Sequence, residues 1–347
     1  MAVGLGLCVI EGGLRLTGYR PLPTVPVTRN QDILYQYTKF RPSSRLTWEL
    51  TPGWRGQEGG AEVVINSASL RERELPLRKP AGTRRILVLG DSVAFGHWVA
   101  AEAAFPRQLE GALQPHVDGT LEVINAGVPG YSTFQELAWL EHAGWAYEPD
   151  LIVVGFVLND VVERYMTMAA YGGANTVLGV DTTVSMNPLS RLLRRTAFHR
   201  FIVDQMQDRA RRREIYSVRR LFEATPAEEI REAWAQSEEE LSGIVAAAAA
   251  RDIPVWVVAF PFRFQITEAL EPLPQQHLQR WATAAGVDYV DLTPTFARMG
   301  GRDAFLDHDH PTPRGHQQAA AVVAAALLQR RPAALFPRTS QERQRVP

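Results

Sequence analysis

Four short stretches of the chain hold the residue types that acyl-transfer chemistry needs. Gly90-Asp91-Ser92-Val93 offers a serine hydroxyl, and Asn125-Ala126-Gly127-Val128-Pro129-Gly130 a flexible glycine backbone. Leu158-Asn159-Asp160 offers a side-chain amide, and Asp307-His308-Asp309-His310-Pro311 an acid and an imidazole three residues apart. A serine hydroxyl is a poor nucleophile at neutral pH and needs a base within hydrogen-bond reach. His310 is the candidate base. An acid must fix the imidazole tautomer and stabilise the imidazolium, and Asp307 lies one turn away from it. Each residue also has a plainer reading. Ser92 could cap a helix, Asn159 could cap a turn, and Gly127 could be only a turn glycine. Asp91 reads as a structural acceptor for turn donors, His316 as a packing or surface residue, and Asp160 has no assigned role. The Asp-His-Asp-His run supplies metal-ligand types. The sequence offers no second ligand cluster beside it, so the expectation is no metal and no cofactor.

These stretches need elements to bring them together. Continuous apolar runs stand at Ile86 to Leu89, Leu121 to Asn125, Leu151 to Phe156, Ile253 to Phe260 and Val287 to Leu292. Such runs suit strands buried on both faces of a parallel sheet. Helical patterns separate them, at Thr133 to Gly144, Thr225 to Arg251, Gln275 to Ala285 and Pro313 to Gln329. The first two open on capping boxes, Thr133 with Glu136 and Thr225 with Glu228, the second with Pro226 at its first position. The alternation predicts an α/β domain with a parallel sheet. Ligands bind such sheets beyond the carboxyl ends of the strands, which is where the chemical stretches fall.

Taken together, the stretches resemble the SGNH (GDSL-type) serine hydrolase superfamily over roughly residues 84 to 329, and the segments PGW (52–54) and INSASLRERE (65–74) ahead of the first block resemble the extension of its bacterial envelope-associated members. GDSV matches the nucleophile block at Ser92, NAGVPG the second block at Gly127, VLND the third at Asn159, and DHDHP the last at Asp307 and His310. The blocks come in the family's order. One departs from the pattern: Val157 stands where the third block usually has glycine, and Gly155 lies two residues earlier. The resemblance implies a flavodoxin-like three-layer α/β/α sandwich with a central five-stranded parallel sheet. It implies a triad of Ser92, His310 and Asp307. It also implies an oxyanion hole built from the backbone N–H groups of Ser92 and Gly127 and the amide of Asn159. The activity implied is a serine esterase or acylhydrolase that cleaves an O-acyl ester through an acyl-enzyme, with acylated envelope carbohydrate as a candidate substrate. Two alternatives stand beside it: an O-acyltransferase that passes the acyl group to a polysaccharide hydroxyl, and a non-catalytic ligand-binding module on the same fold.

The rest of the 347 residues divides around this domain. Residues 1–20 read either as a short packed helix or as a membrane anchor or signal remnant with its beginning missing. Residues 21–83 form an extension with short strands, among them Ala61 to Ser67, expected to pair near Trp48 to Trp54. Within the hydrolase domain, 84–330, an Arg-rich helical insertion spans 161–224, and 331–347 is a tail. The insertion's charge suits either two solvated helices or a basic lid that meets an anionic surface. The expected partners are an acyl-ester substrate and, through the N-terminus, a membrane; the expected location is the bacterial envelope or outside the cell, with the cytoplasm left open. The oligomeric state is open as well. A formal net charge of −1, from 37 basic and 38 acidic residues, gives no general electrostatic reason to expect nucleic acid. The single cysteine, Cys8, excludes an intrachain disulfide framework. Only Lys39 and Lys79 are lysines, so a Schiff-base mechanism would have to use one of them.

Overall fold

The computed structural model describes residues 2–18, 39–162 and 196–336. Most of the insertion, including Arg191, Arg194 and Arg195, and the tail from 337 onward lie outside the described residues, as do 19–38. Helix α1 (Ala2–Leu16) comes first. Two antiparallel hairpins follow, β1 (Phe40–Ser43) with β2 (Thr47–Leu50), and β3 (Arg55–Glu58) with β4 (Ala61–Val64). The strand expected at Ala61 to Ser67 thus pairs mainly with Arg55–Glu58, and its end reaches the expected stretch, the Ile65 N–H donating to the Trp54 carbonyl at 2.8 Å. The Gly59-Gly60 pair, both at positive φ, makes a turn tight enough to close that hairpin locally.

The apolar runs build one parallel sheet from β5 (Thr83–Gly90), β6 (Thr120–Asn125), β7 (Leu151–Val157), β8 (Val255–Phe260) and β9 (Asp288–Asp291), in the order β6-β5-β7-β8-β9. This is the flavodoxin-like order, and helices flank the sheet to give a three-layer α/β/α sandwich. Every residue of β7 and β8 is buried, as central parallel strands require. β9, an edge strand of sequence DYVD, keeps three of its four residues partly exposed.

The helices of the domain are α2 (Ser92–Phe95), α3 (Phe105–Leu113), α4 (Thr133–His142), α5 (Ala197–Arg219), α6 (Glu228–Ala249), α7 (Arg263–Thr267), α8 (Leu273–Ala285), α9 (Thr293–Met299), α10 (Gly301–Ala304) and α11 (Pro313–Arg330). α3 packs on α11, and α4 on α6. Of the two expected capping boxes, the first is displaced by one residue and the second does not form. α4 begins after Ser132, whose N–H donates to Gln135 Oε1 at 3.2 Å. Glu136, expected to reach back to a cap, is instead buried, and burial together with the nearby Asp91 charge pushes its carboxyl well above the usual range. α6 starts at Glu228, with Thr225 and Pro226 outside it, and the Pro226 carbonyl accepts from Arg231.

The segment from Pro76 to Thr83 is not a free linker. Fully buried Arg85 donates to the carbonyls of Pro76, Leu77 and Tyr147 and to Glu122 Oε2. Lys79 Nζ lies 2.6 Å from Asp150 Oδ1. Glu11, which breaks the N-terminal apolar run, caps α5: its carboxylate accepts from the N–H groups of Ala197 and Phe198 at 2.9 and 3.0 Å, where a helix start favours negative charge. α1 leaves Val9 and Leu16 exposed. Among the described residues no helix is long and apolar enough to cross a membrane.

Candidate active site

β5 ends at Gly90 and the chain turns at once into α2, so Ser92 stands on the rim at the first helical position. Gly90 has φ +153, and an added Cβ would come within 2.6 Å of Ala94 Cβ and 3.1 Å of the Gly155 carbonyl. Only glycine fits this turn. Gly155 pairs with Gly90 in register, and a Cβ there would make only ordinary contacts, the nearest 3.4 Å from the Leu89 carbonyl oxygen. Val157 ends β7, and its N–H donates to Asp160 Oδ2 at 3.1 Å, which gives Asp160 its role.

Asp91 caps α2, accepting from the Val93 N–H at 2.8 Å through Oδ1. Its Oδ2 accepts from Asn159 Nδ2 at 3.3 Å. That bond fixes the plane of the Asn159 amide beside the serine. The Ser92 N–H occupies the helix start, where no i−4 carbonyl exists to take it. Gly127 presses on α2 from the next loop: a Cβ there would lie 2.4 Å from the Phe95 nitrogen. It is a close-approach glycine and not a turn glycine. Its N–H donates to Asn125 Oδ1 at 3.0 Å, so the donor expected for the oxyanion hole is taken up within its own loop.

The last block forms a tight loop, closed by the Phe305–Pro311 bridge and by the Leu306 N–H on the His310 carbonyl. It brings His310 Nε2 to 2.9 Å from Ser92 Oγ. His310 Nδ1 lies 3.0 Å from both oxygens of Asp307, which also accepts the backbone N–H of His310. Asp309 Oδ1 is equally near Nδ1, at 3.0 Å, but without a hydrogen bond. The ring proton can serve one acceptor in line, and the geometry gives it to Asp307. Burial alone would depress the His310 imidazole, but Asp309 and Asp307 push it up to about 9. Burial opposes the charge on Asp307 too, and the neighbouring His308 and His310 imidazoles hold it well below the usual carboxylate range. Burial pushes Asp309 up to about 7.

Several residues around this centre come from segments whose sequence carried no sign of them. Trp98 and His97 pack at a tilt against His310, with ring centroids 5.2 and 4.9 Å away. Trp98 holds a left-handed backbone, φ +64, and the β3–β4 turn rests on it: a Cβ at Gly59 would meet Trp98 Cβ at 2.6 Å. Glu58, in the same hairpin, lies 3.6 Å from His97 Nδ1 and 2.7 Å from the buried Lys39 amine, which burial lowers to about 8. Buried Arg71 donates to the carbonyls of Phe95, Gly96 and Val99, and so holds the end of the serine-bearing helix. From α5, Glu214 Oε2 reaches His308 Nε2 at 3.1 Å. Proximity to GDSV was the one available signal for His97 and Trp98; nothing in spacing marked Glu58, Arg71 or Glu214.

His316 is buried, its Nδ1 accepting from the Phe105 N–H at 3.2 Å, and burial drives it down to about 3. It is a packing residue. A separate cleft of Lys79, Trp145, Asp150 and Arg251 lies at the amino ends of the strands, away from the rim.

The described geometry can carry out proton transfer from a serine hydroxyl to an imidazole anchored by a carboxylate. Residues 88–318 match the model of the GDSL-like lipase/acylhydrolase family. No curated protein matches the chain. Among solved structures, the chain is similar to a GDSL-like lipase from Bacteroides thetaiotaomicron VPI-5482, with 14% identity over 71% of this chain and 89% of that one, and a TM-score of 0.39. It is similar to a lipase/acylhydrolase from Enterococcus faecalis, with 16% identity over 74% of this chain and 100% of that one, and a TM-score of 0.43. A variant of an acetyl-xylooligosaccharide esterase from Geobacillus Stearmophilus gives 15% identity over 72% and 94%, with a TM-score of 0.42.

Proposed function

The chain belongs to the GDSL-like lipase/acylhydrolase family, and on that premise we propose that it is a serine esterase that cleaves O-acyl esters through an acyl-enzyme on Ser92. The observation that carries the reading is the 2.9 Å contact between Ser92 Oγ and His310 Nε2, with His310 Nδ1 hydrogen-bonded to Asp307. Nucleophile, base and orienting acid stand in the relative order that acyl transfer needs.

In this reading Ser92 Oγ attacks the ester carbonyl carbon while His310 Nε2 takes the hydroxyl proton. The carbonyl oxygen becomes an oxyanion and is met by the Ser92 N–H and the Asn159 amide. The Gly127 N–H, engaged by Asn125, supports the loop. Collapse breaks the bond to the alcohol, which leaves with the proton from His310. A water then gives its proton to His310, attacks the acyl carbon, and releases the acid and free Ser92. Asp307 stays ionised throughout and stabilises the imidazolium.

We place the substrate as an acyl ester of envelope carbohydrate. The support is the resemblance carried by the extension ahead of the first block, which also supports exported or membrane-associated protein over a cytoplasmic one. A panel of acetyl, butyryl and longer esters, run beside acetylated polysaccharides, tests the reading. Release of free acid by wild type and not by Ser92→Ala is expected. Diversion of product to a new ester on adding a polyol would make the enzyme an acyltransferase. No turnover of any ester, with the fold intact, would leave a non-catalytic binding module.

A further inference from the structure

We infer that Glu214, His308 and Asp309 bind a divalent cation, zinc by its ligand chemistry, that pins the insertion helix α5 to the loop carrying His310. The sequence supplied two of these ligands and no third; the fold brings Glu214 in from a segment about ninety residues away. One ligand atom from each of the three lies within 4.8 Å of the others. His308 Nε2 is 3.1 Å from Glu214 Oε2 and 3.5 Å from Asp309 Oδ1. Ligands about 2.1 Å from a tetrahedral zinc stand about 3.4 Å apart, so both separations are those of ligands on one ion.

The directions of the groups support this more than their distances. Among the described residues neither ring nitrogen of His308 makes a hydrogen bond, nor does Asp309 Oδ1, although each has an oppositely charged atom close by. Two groups that share a proton point at each other. Two groups that share a metal point at a place between them, and their mutual contact is out of line. Asp309 is only 2% exposed, so bulk water does not satisfy the oxygen that the His310 proton leaves out. Behind the site, Asp307 Oδ2 lies 3.3 Å from His308 Nδ1, without a hydrogen bond between them. A mixed nitrogen and oxygen set favours zinc over magnesium or calcium, which prefer oxygen alone. A second grouping, Asp307, Asp309 and His310, is less suited: both nitrogens of His310 already face Ser92 and Asp307. The competing account is a protonated His308 held between carboxylates, with no ion.

The test uses the full chain, stripped with chelator and titrated with zinc chloride by calorimetry at pH 7.5. One equivalent should bind. Glu214→Gln and His308→Gln should each weaken binding at least about tenfold, as loss of a ligand does, and His310→Asn should leave it. Zinc should also slow tryptic cleavage after Arg212 and Arg213, which are exposed on α5, in wild type and not in Glu214→Gln. Absence of saturable binding would overturn the inference and leave the protonated His308. So would unchanged affinity in Glu214→Gln, or binding lost in His310→Asn and kept in Glu214→Gln. Circular dichroism checks that each variant folds, and either ligand variant alone suffices. The site does not depend on the esterase reading: zinc binding can fail while Ser92 chemistry stands, and the reverse.

Discussion

The rim of the sheet and the segments that wrap it do different work. On the rim, Ser92, Asn159 and Gly127 each follow directly on a strand, so the backbone that places them is the same backbone that forms the core. Their positions are set by strand ends, by glycines that admit close contact, and by one cap at Asp91. The wrapping segments are the two N-terminal hairpins, the stretch around Arg71, and α5. They contribute single residues reaching inward: Glu58 and Lys39 beside His97, Gly59 under Trp98, Arg71 on the end of α2, Glu214 on His308. In the proposed reaction, bond making belongs to the rim, and support of the imidazole and of the serine-bearing helix belongs to the wrapping.

That division can be broken at several points. His310→Ala removes the base and should lower kcat by about 10⁴-fold or more, measured on a soluble acetyl ester. A loss below tenfold would mean that the rim does not carry the chemistry. Asn159→Ala should cost about 10²–10³ in kcat with a smaller change in KM, since the amide acts on the oxyanion and not on the bound ester.

Arg71→Met tests the wrapping. It leaves three buried carbonyls without their cationic donor and should destabilise the fold by about 3 kcal/mol, read from denaturant unfolding. Below the transition, turnover should fall as well, because α2 loses its clamp. Unchanged stability would separate the extension from the nucleophile helix.

Asp309→Asn gives the smallest effect and the most diagnostic one. The reaction needs neutral His310, so kcat/KM should rise as pH increases through about 9 and be lost below it. Asp309 is the foremost charge holding that imidazole protonated. Its removal should move the limb to lower pH and raise activity at pH 7. A limb that stays in place would assign the raised imidazole to Asp307 alone.

The legibility of the molecule follows the same line. β5, β7 and β8 were readable because strands buried on both faces are written as continuous apolar runs, and the site residues were readable because they sit immediately after them. The start of α4 moved by one residue because Ser132 and Thr133 are both cap-forming types, and the choice was made by burial of Glu136, a tertiary matter. The partner of Ala61 to Ser67 was placed a few residues too early, since most of the pairing falls on Arg55–Glu58, because glycine turns decide partners over a few residues, below the reach of apolar patterning. Arg71, Glu58 and Glu214 look like ordinary surface charges in sequence; their partners lie about 20 to 95 residues away and only the fold shows them. The Gly127 N–H is a subtler case, since its block matches the family while Asn125 takes the donor.

Labelling with a fluorophosphonate probe, followed by mass spectrometry of the modified peptide, tests the central claim most directly. Wild type should take up one equivalent on Ser92, and Ser92→Ala should take up none. Labelling that persists in Ser92→Ala, or that falls on another serine, would contradict the assignment of Ser92 as the nucleophile.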